Sequence, residues 1–125
     1  MTPLVRTLVP VALLVHGLGM IGGAVWLAVP KGRHQGFGDS WLLARAGPAV
    51  QSIVAVLLWG VSGAAFVGAA YAFWSSAPWL DSAILVGAPT TLLAVALWAG
   101  SVPIGAYVGA AFAAAMLAAI LLGWL

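Results

Sequence analysis

Four long apolar runs limit what this chain can fold into. They cover 8–29, 48–74, 78–99 and 102–125, and none has a charged residue in its interior. Each run supplies roughly the 20 apolar residues that cross a hydrocarbon core of about 30 Å. Because a helix satisfies its own backbone hydrogen bonds, these runs predict four transmembrane helices. They are continuous rather than alternating, which argues against a membrane β-barrel.

The composition supports lipid as the solvent for most of the chain. Of 125 residues, 65% are hydrophobic and 5% are charged, whereas soluble domains carry about 25% charged residues. A soluble domain of this length exposes too much surface to hide so many apolar side chains. The sequence therefore predicts an all-α integral membrane protein, an antiparallel bundle of four transmembrane helices, as one membrane domain over 1–125.

Several kinds of chemistry are excluded by residues that the chain lacks. There is no Cys and no Glu, so disulfides, thiolate metal sites and iron–sulfur clusters are absent. Two His and two Asp have no metal-ligand spacing. Asp39 and Asp81 are expected on opposite membrane faces, where they cannot act as paired carboxylates. No basic stripe exists for nucleic acid, and we predict no catalytic residues and no metal site.

The polar segment 30–47 indicates the orientation in the membrane. It holds Lys31, Arg33 and Arg45, three of the four basic residues. By the positive-inside rule, we expect this loop to lie on the cytoplasmic side. We expect the protein itself to lie in the inner membrane of the cell. Four spans then put both termini outside, although Arg6 argues mildly for the opposite orientation.

Tryptophans near the span ends predict two aromatic belts. One membrane face receives Trp74, Trp79 and Trp124, and the other receives Trp26, Trp41 and Trp98. Trp59 is the exception, because it lies near the middle of the second span. Its indole N–H needs a partner there.

Small residues recur at helical spacing in three spans, which predicts close helix packing. The rows are Gly19 and Gly23 in the first span, Gly60, Ala64 and Gly68 in the second, and Gly105, Gly109 and Ala113 in the fourth. We expect these rows to pack within one bundle. Packing against another subunit is the alternative.

His16 is the residue with the strongest claim to a function. It lies near mid-membrane, where an ionisable group is costly and raises a functional hypothesis. Counting depth along each span gives a hypothetical ligand-binding layer of His16, Trp59, Ser62, Thr90 and Thr91. Four roles stay open for the imidazole: an interhelical hydrogen bond, a small bound ligand, haem ligation, and a proton relay.

A haem requires a second axial ligand or an open face. His34 lies in the polar loop, and Met20 is one turn from His16 on the same face of the same helix. A second ligand would therefore come from a partner subunit. We expect no intrinsic cofactor, and a lipid or a pigment, quinone or haem shared with a partner stays open.

The stretch L-L-V-H-G-L-G-M-I-G-G over 13–23 resembles the first helix of small four-span bacterial membrane proteins, loosely DoxX-like. That group often has His-Gly-Leu-x-His early in the chain, and here Met20 stands in place of the second histidine. L-W-G-V-S-G-A-A-F-V-G-A-A and P-x-G-A-Y-V-G are similar to the group's later patterns. DoxX is a membrane subunit of a quinone-linked sulfur oxidoreductase, so the resemblance implies a subunit of a redox complex.

Two functions follow as expectations. The first is a small non-catalytic subunit of a larger redox, respiratory or photosynthetic membrane complex, with membrane lipids and other integral membrane subunits as partners. The second is a homo-oligomeric carrier or channel with a mid-membrane polar site around His16. An enzyme acting on a lipid-soluble substrate is a third, less supported alternative, because one isolated imidazole is thin evidence.

Overall fold

The computed structural model describes residues 2–28 and 39–125, and within them the regular elements are all helical. The four helices are α1 (Pro3–Ala28), α2 (Pro48–Ser75), α3 (Leu80–Leu97) and α4 (Ile104–Leu121), with a 3₁₀ turn at Ala44–Ala46 before α2. All four are long and apolar enough to span a membrane. This confirms the predicted fold class. Lys31 and Arg33 lie outside the described residues.

The helix ends follow local residue chemistry. The Thr2 hydroxyl accepts a hydrogen bond from the Val5 amide at 3.3 Å, which caps the first turn of α1. Pro3 and Pro48 occupy the first position of their helices, where the missing N–H costs nothing. Gly47 precedes α2 with a φ of 97°, a conformation that favours glycine. Helix α1 therefore begins five residues before the predicted span.

The helices pack in chain order and leave one side of the bundle open. Helix α1 packs on α2, α2 on α3, and α3 on α4, while α1 and α4 have few close backbone approaches. Helix α4 is consequently the edge of the bundle. Only 11% of its span is buried, against 39% of the span of α2.

A close backbone contact between α1 and α2 joins two glycines, Gly17 and Gly63. A Cβ placed on Gly17 would lie 2.7 Å from the amide nitrogen of Val67 and 2.9 Å from the carbonyl oxygen of Gly63. A Cβ on Gly63 would lie 2.8 Å from both the Gly17 oxygen and the Ile21 nitrogen. The neighbours are backbone atoms that cannot turn away, so both positions require glycine. Neither residue belongs to the predicted packing rows.

Some of the predicted row residues do lie at helix contacts. The Cβ of an alanine at Gly23 would overlap the Trp59 indole, and one at Gly68 would meet the Trp79 ring at 3.4 Å. Gly60 lies opposite Ala24. In α4, Gly109 faces His16 and Ala113 is fully buried.

The structure corrects the expectation of packing within the bundle at three other row positions. Gly19 and Gly105 have no neighbouring atom within 4 Å of an added Cβ, and Ala64 is exposed. The reason is geometric, because each residue lies on a helix side that no other helix of this chain covers. Packing of these three residues against another subunit stays a prediction.

The second half of the polar segment 30–47 closes the end of α3. The Ser40 hydroxyl donates to the Leu97 carbonyl at 2.6 Å, and the Trp41 indole N–H donates to the Ala96 carbonyl at 2.7 Å. The Gln51 side-chain oxygen accepts from the Ser40 amide at 2.7 Å. The last carbonyls of a helix have no partner within it, so this segment caps α3 from outside. Residues 41–43 form a turn that leads into the 3₁₀ turn at Ala44–Ala46.

Five of the six tryptophans predicted at the membrane interface have exposed side chains near helix ends: Trp26, Trp41, Trp74, Trp79 and Trp124. Trp98 is the exception, at 3% exposure. Its ring packs edge-to-face on Trp59, with centroids 5.7 Å apart. Trp98 is therefore a core residue near the loop end of the bundle rather than a lipid-facing belt residue.

We predict that Gly63→Ala weakens the bundle by about 1–3 kcal/mol, because the added methyl group overpacks the α1–α2 backbone contact. Gly22→Ala is the matched control, since Gly22 has open space around it. The control should be neutral or slightly stabilising, as alanine is the better helix former. Denaturant unfolding in mixed micelles measures both changes, and equal stabilities would contradict the contact.

Candidate ligand-binding site

A line of hydrogen bonds joins three helices beneath the open side of the bundle. His16 Nε2 of α1 lies 3.3 Å from Thr91 Oγ1 of α3. Thr91 Oγ1 is in turn hydrogen-bonded to Ser62 Oγ of α2. The Ser62 hydroxyl donates to the Gly87 carbonyl of α3 at 3.2 Å. Ser62 and Thr91 are fully buried, and we call this line the polar relay.

The direction of the polar relay follows from its last member, because a carbonyl oxygen can only accept. Ser62 spends its one hydroxyl proton on the Gly87 carbonyl, so its oxygen accepts from the Thr91 hydroxyl. The Thr91 oxygen then accepts from His16 Nε2. A neutral imidazole has one N–H, so the Nε2–H tautomer leaves Nδ1 as a bare acceptor.

Aromatic and glycine neighbours hold the imidazole in place. The Phe66 ring packs edge-on on the imidazole at 4.5 Å between centroids, Phe112 lies at 5.3 Å, and the two phenyl rings are 6.1 Å apart. A Cβ on Gly109 would lie 3.0 Å from Cε1 and 3.1 Å from Nδ1 of His16. The Nδ1 edge of the ring therefore faces α4, away from the polar relay.

The gap between α1 and α4 forms a groove of about 580 Å³ with His16 in its wall. This lies within the 300–1,000 Å³ range of small-molecule pockets. One wall comes from α1, one from α4, and Trp59 of α2 contributes to the floor. The lining residues are Ala12, Val15, His16, Gly19, Met20, Gly23, Trp59, Pro103, Gly105, Ala106, Val108, Gly109 and Phe112.

The predicted layer is only partly brought together. His16, Thr91 and Ser62 join in the polar relay. The Thr90 hydroxyl instead donates to the Val86 and Gly87 carbonyls of its own helix. Trp59 lines the groove but belongs to a separate buried cluster with Met20, Ala24, Ala55, Ala94 and Trp98.

Depth counting missed the residues that surround His16. Gly109 was assigned to packing alone, although it sets the distance between α4 and the imidazole. Phe66 and Phe112 pack on the ring from two helices, and aromatic residues in apolar spans carry no signal that separates them from ordinary core residues. The groove itself depends on the α1–α4 gap, which no single span reports.

The groove lining is mostly apolar, with His16 in its wall and no Asp, Glu, Lys or Arg among the lining residues. Met20 lies on the α1 wall with His16. Among residues 2–28 and 39–125 no group of three or more His, Cys, Asp or Glu is placed to hold a metal ion. The arrangement suits recognition through a hydrogen bond.

The fold and the groove together define a multi-pass helical membrane protein with a laterally open cleft. Comparison with protein-family models, with curated proteins and with solved structures gave no match.

We predict that Thr91→Val lowers bundle stability by about 1–2 kcal/mol, because it leaves two polar relay members without their partner. Thr90→Val is the matched control on the same helix, since its hydroxyl bonds only to its own helix. The control should lie within about 0.5 kcal/mol of wild type. Unfolding in mixed micelles measures both, and equal losses would contradict the relay.

Proposed function

We propose that this chain is a small non-catalytic subunit of a larger membrane complex, in which a partner's transmembrane helix packs against α4. The observation that carries this proposal is a smooth outer face on α4. Ala113 and Met116 are buried toward the bundle, while the opposite side is exposed. That side, the alanine face, consists of Ala111, Ala114, Ala115 and Ala118.

The physical argument rests on what drives helix association in lipid. Lipid tails are as apolar as leucine, so helices associate through close van der Waals contact rather than through the hydrophobic effect. Alanine rows let two backbones approach closely, whereas large side chains hold them apart. Helix α4 is the least covered helix of the bundle, so the alanine face is the surface best suited to a partner helix.

Two further features support a subunit rather than an independent enzyme. The turns that join α2 to α3 and α3 to α4 are short, which leaves little soluble mass for chemistry outside the membrane. The resemblance to DoxX-like proteins favours a redox complex as the larger assembly. A lipid, quinone, pigment or haem would then be held jointly with the partner.

We predict that the double variant Ala111→Leu, Ala115→Leu detaches the chain from its complex. Two added isobutyl groups overpack a close helix contact, which costs about 1–3 kcal/mol and lowers partner recovery about tenfold. Ala49→Leu, at an exposed alanine in the first turn of α2 outside the predicted packing rows, is the control and should leave recovery unchanged.

The measurement is gentle extraction from native membranes, a native gel and quantitative mass spectrometry of the band that holds the chain. The expected result is co-migration with larger subunits in the wild type and in Ala49→Leu, and loss of that co-migration in the double variant. A wild-type chain that migrates alone, or a double variant with unchanged partners, would overturn the proposal.

A homo-oligomeric carrier or channel is the second proposal, and the polar relay is its support. A hydroxyl–imidazole line that crosses three helices and reaches an open groove is unusual in so apolar a chain. Solute flux through liposomes that contain only this chain, lost in His16→Ala, would favour this function over the subunit function.

We propose further that the protein lies in an inner membrane. The 30–47 loop would then be on the cytoplasmic side and both termini on the outer side. The described part of this loop shares a face with the α3–α4 turn, because the Ser101 hydroxyl donates to the Asp39 carbonyl at 3.1 Å. The positive charge of Arg45 at this face supports the assignment.

We predict that Ser75→Cys is labelled by a membrane-impermeant maleimide in intact cells, whereas Ala46→Cys is labelled only after permeabilisation. Both positions are exposed at opposite ends of the bundle. The chain has no cysteine, so each variant carries a single thiol and wild type is the blank. The reverse pattern would show the opposite orientation.

A further inference from the structure

We infer that the groove between α1 and α4 binds a neutral, lipid-soluble molecule whose planar ring carries a hydroxyl group, and that this hydroxyl donates a hydrogen bond to His16 Nδ1. The groove and the alanine face lie on different sides of α4, since Gly109 and Phe112 line the groove and Ala111 and Ala115 point outward. The inference therefore stands apart from the proposed subunit function.

The required donor follows from the polar relay. The relay runs from Nε2–H of His16 to the Gly87 carbonyl and leaves Nδ1 as an acceptor. No protein donor for Nδ1 is found in 2–28 or 39–125. An acceptor that faces an apolar groove without a donor costs free energy that a ligand hydroxyl recovers. A ligand with only carbonyl or ether oxygens would leave that acceptor unpaired.

A neutral molecule from the membrane is favoured by the lining and by the position of the groove. The lining contains no Asp, Glu, Lys or Arg, and the groove opens between two membrane-spanning helices. A charged ligand would have no counter-ion there and would be costly to bury. A lipid-soluble molecule reaches the groove laterally without crossing the water phase.

A planar ring is favoured because both walls are flattened by glycine. Gly19 and Gly23 form part of the α1 wall, and Gly105 and Gly109 form part of the α4 wall. No atom lies within 4 Å of an added Cβ at Gly19 or Gly105, so these two leave open space. Trp59 and Phe112 border the same space and offer ring faces and edges for stacking.

The test compares two probes of nearly the same shape, 1-naphthol and 1-methoxynaphthalene, of which only the first can donate a hydrogen bond. Purified full-length chain in lipid nanodiscs is equilibrated with each probe, and partition into protein-free nanodiscs of the same lipid is subtracted. A net hydrogen bond to His16 should make 1-naphthol bind about five- to tenfold more tightly. Equal affinities, or no binding of either probe, would overturn the inference.

Three variants locate the site. His16→Gln places an amide N–H near the position of Nε2 for Thr91 but has no group at Nδ1, so it should lose the preference for 1-naphthol. Gly19→Leu should block both probes by filling the groove. Gly22→Leu is its matched control, because Gly22 also has open space but lies outside the groove lining, and it should bind like wild type.

The imidazole nitrogens give a readout that does not depend on any variant folding. In two-bond ¹H–¹⁵N spectra of histidine-labelled protein, the unliganded chain should show the Nε2–H tautomer of His16. Addition of 1-naphthol should shift the Nδ1 resonance, and 1-methoxynaphthalene should not. An Nδ1–H tautomer of His16 in the unliganded chain would overturn the inference. Equal binding of the probes by the Gly19→Leu and Gly22→Leu variants would also overturn it.

Discussion

The contact between Gly17 and Gly63 fixes the geometry on which the rest of the bundle depends. It brings the backbones of α1 and α2 closer than any Cβ would allow, and it therefore sets both the crossing point and the register of the two helices. His16 precedes Gly17 and Ser62 precedes Gly63 in the chain. The same contact thus brings the imidazole and the buried serine to one level, where Thr91 of α3 connects them. In lipid, such close approach supplies the attraction that the hydrophobic effect supplies in water.

The open side of the bundle follows from the chain-order arrangement of helices. Because α4 packs on α3 while α1 packs on α2, the two outer helices have few close backbone approaches, and Gly109 and Phe112 of α4 lie against His16. A larger residue at 109 would push α4 away from the imidazole. The groove therefore depends on small residues on both α1 and α4. Because these residues have little or no side chain, they leave space between the two helices and keep the His16 acceptor accessible.

The fold class could be predicted because hydrophobic length is a property of each span by itself. The depth of the polar relay residues in the membrane could also be predicted, since depth along a helix follows from counting residues at 1.5 Å each. The direction in which each side chain points around the helix axis could not be predicted. Thr90 and Thr91 have nearly the same depth, yet Thr91 is buried and Thr90 only partly buried. In α1 the helical spacing favours Gly19 for packing, whereas Gly17 makes the contact. The position of Trp98 near a span end predicts a residue of the aromatic belt, but its ring is buried against Trp59. Which side of a helix is covered depends on its partners, and single-span patterns in a chain this uniformly apolar do not contain that information.

The cap on α3 has a consequence for how the protein is made. The final carbonyls of α3 are satisfied by Ser40 and Trp41, which leave the ribosome 57 and 55 residues before their acceptors. The acceptors of a later helix thus meet donors that are already synthesised, and Gln51 at the start of α2 holds those donors in position. The first hairpin can act as a template on which α3 docks as it emerges, with α4 added last at the edge. The order of synthesis and the order of helix contacts then coincide, so the last carbonyls of α3 find their donors as soon as that helix docks.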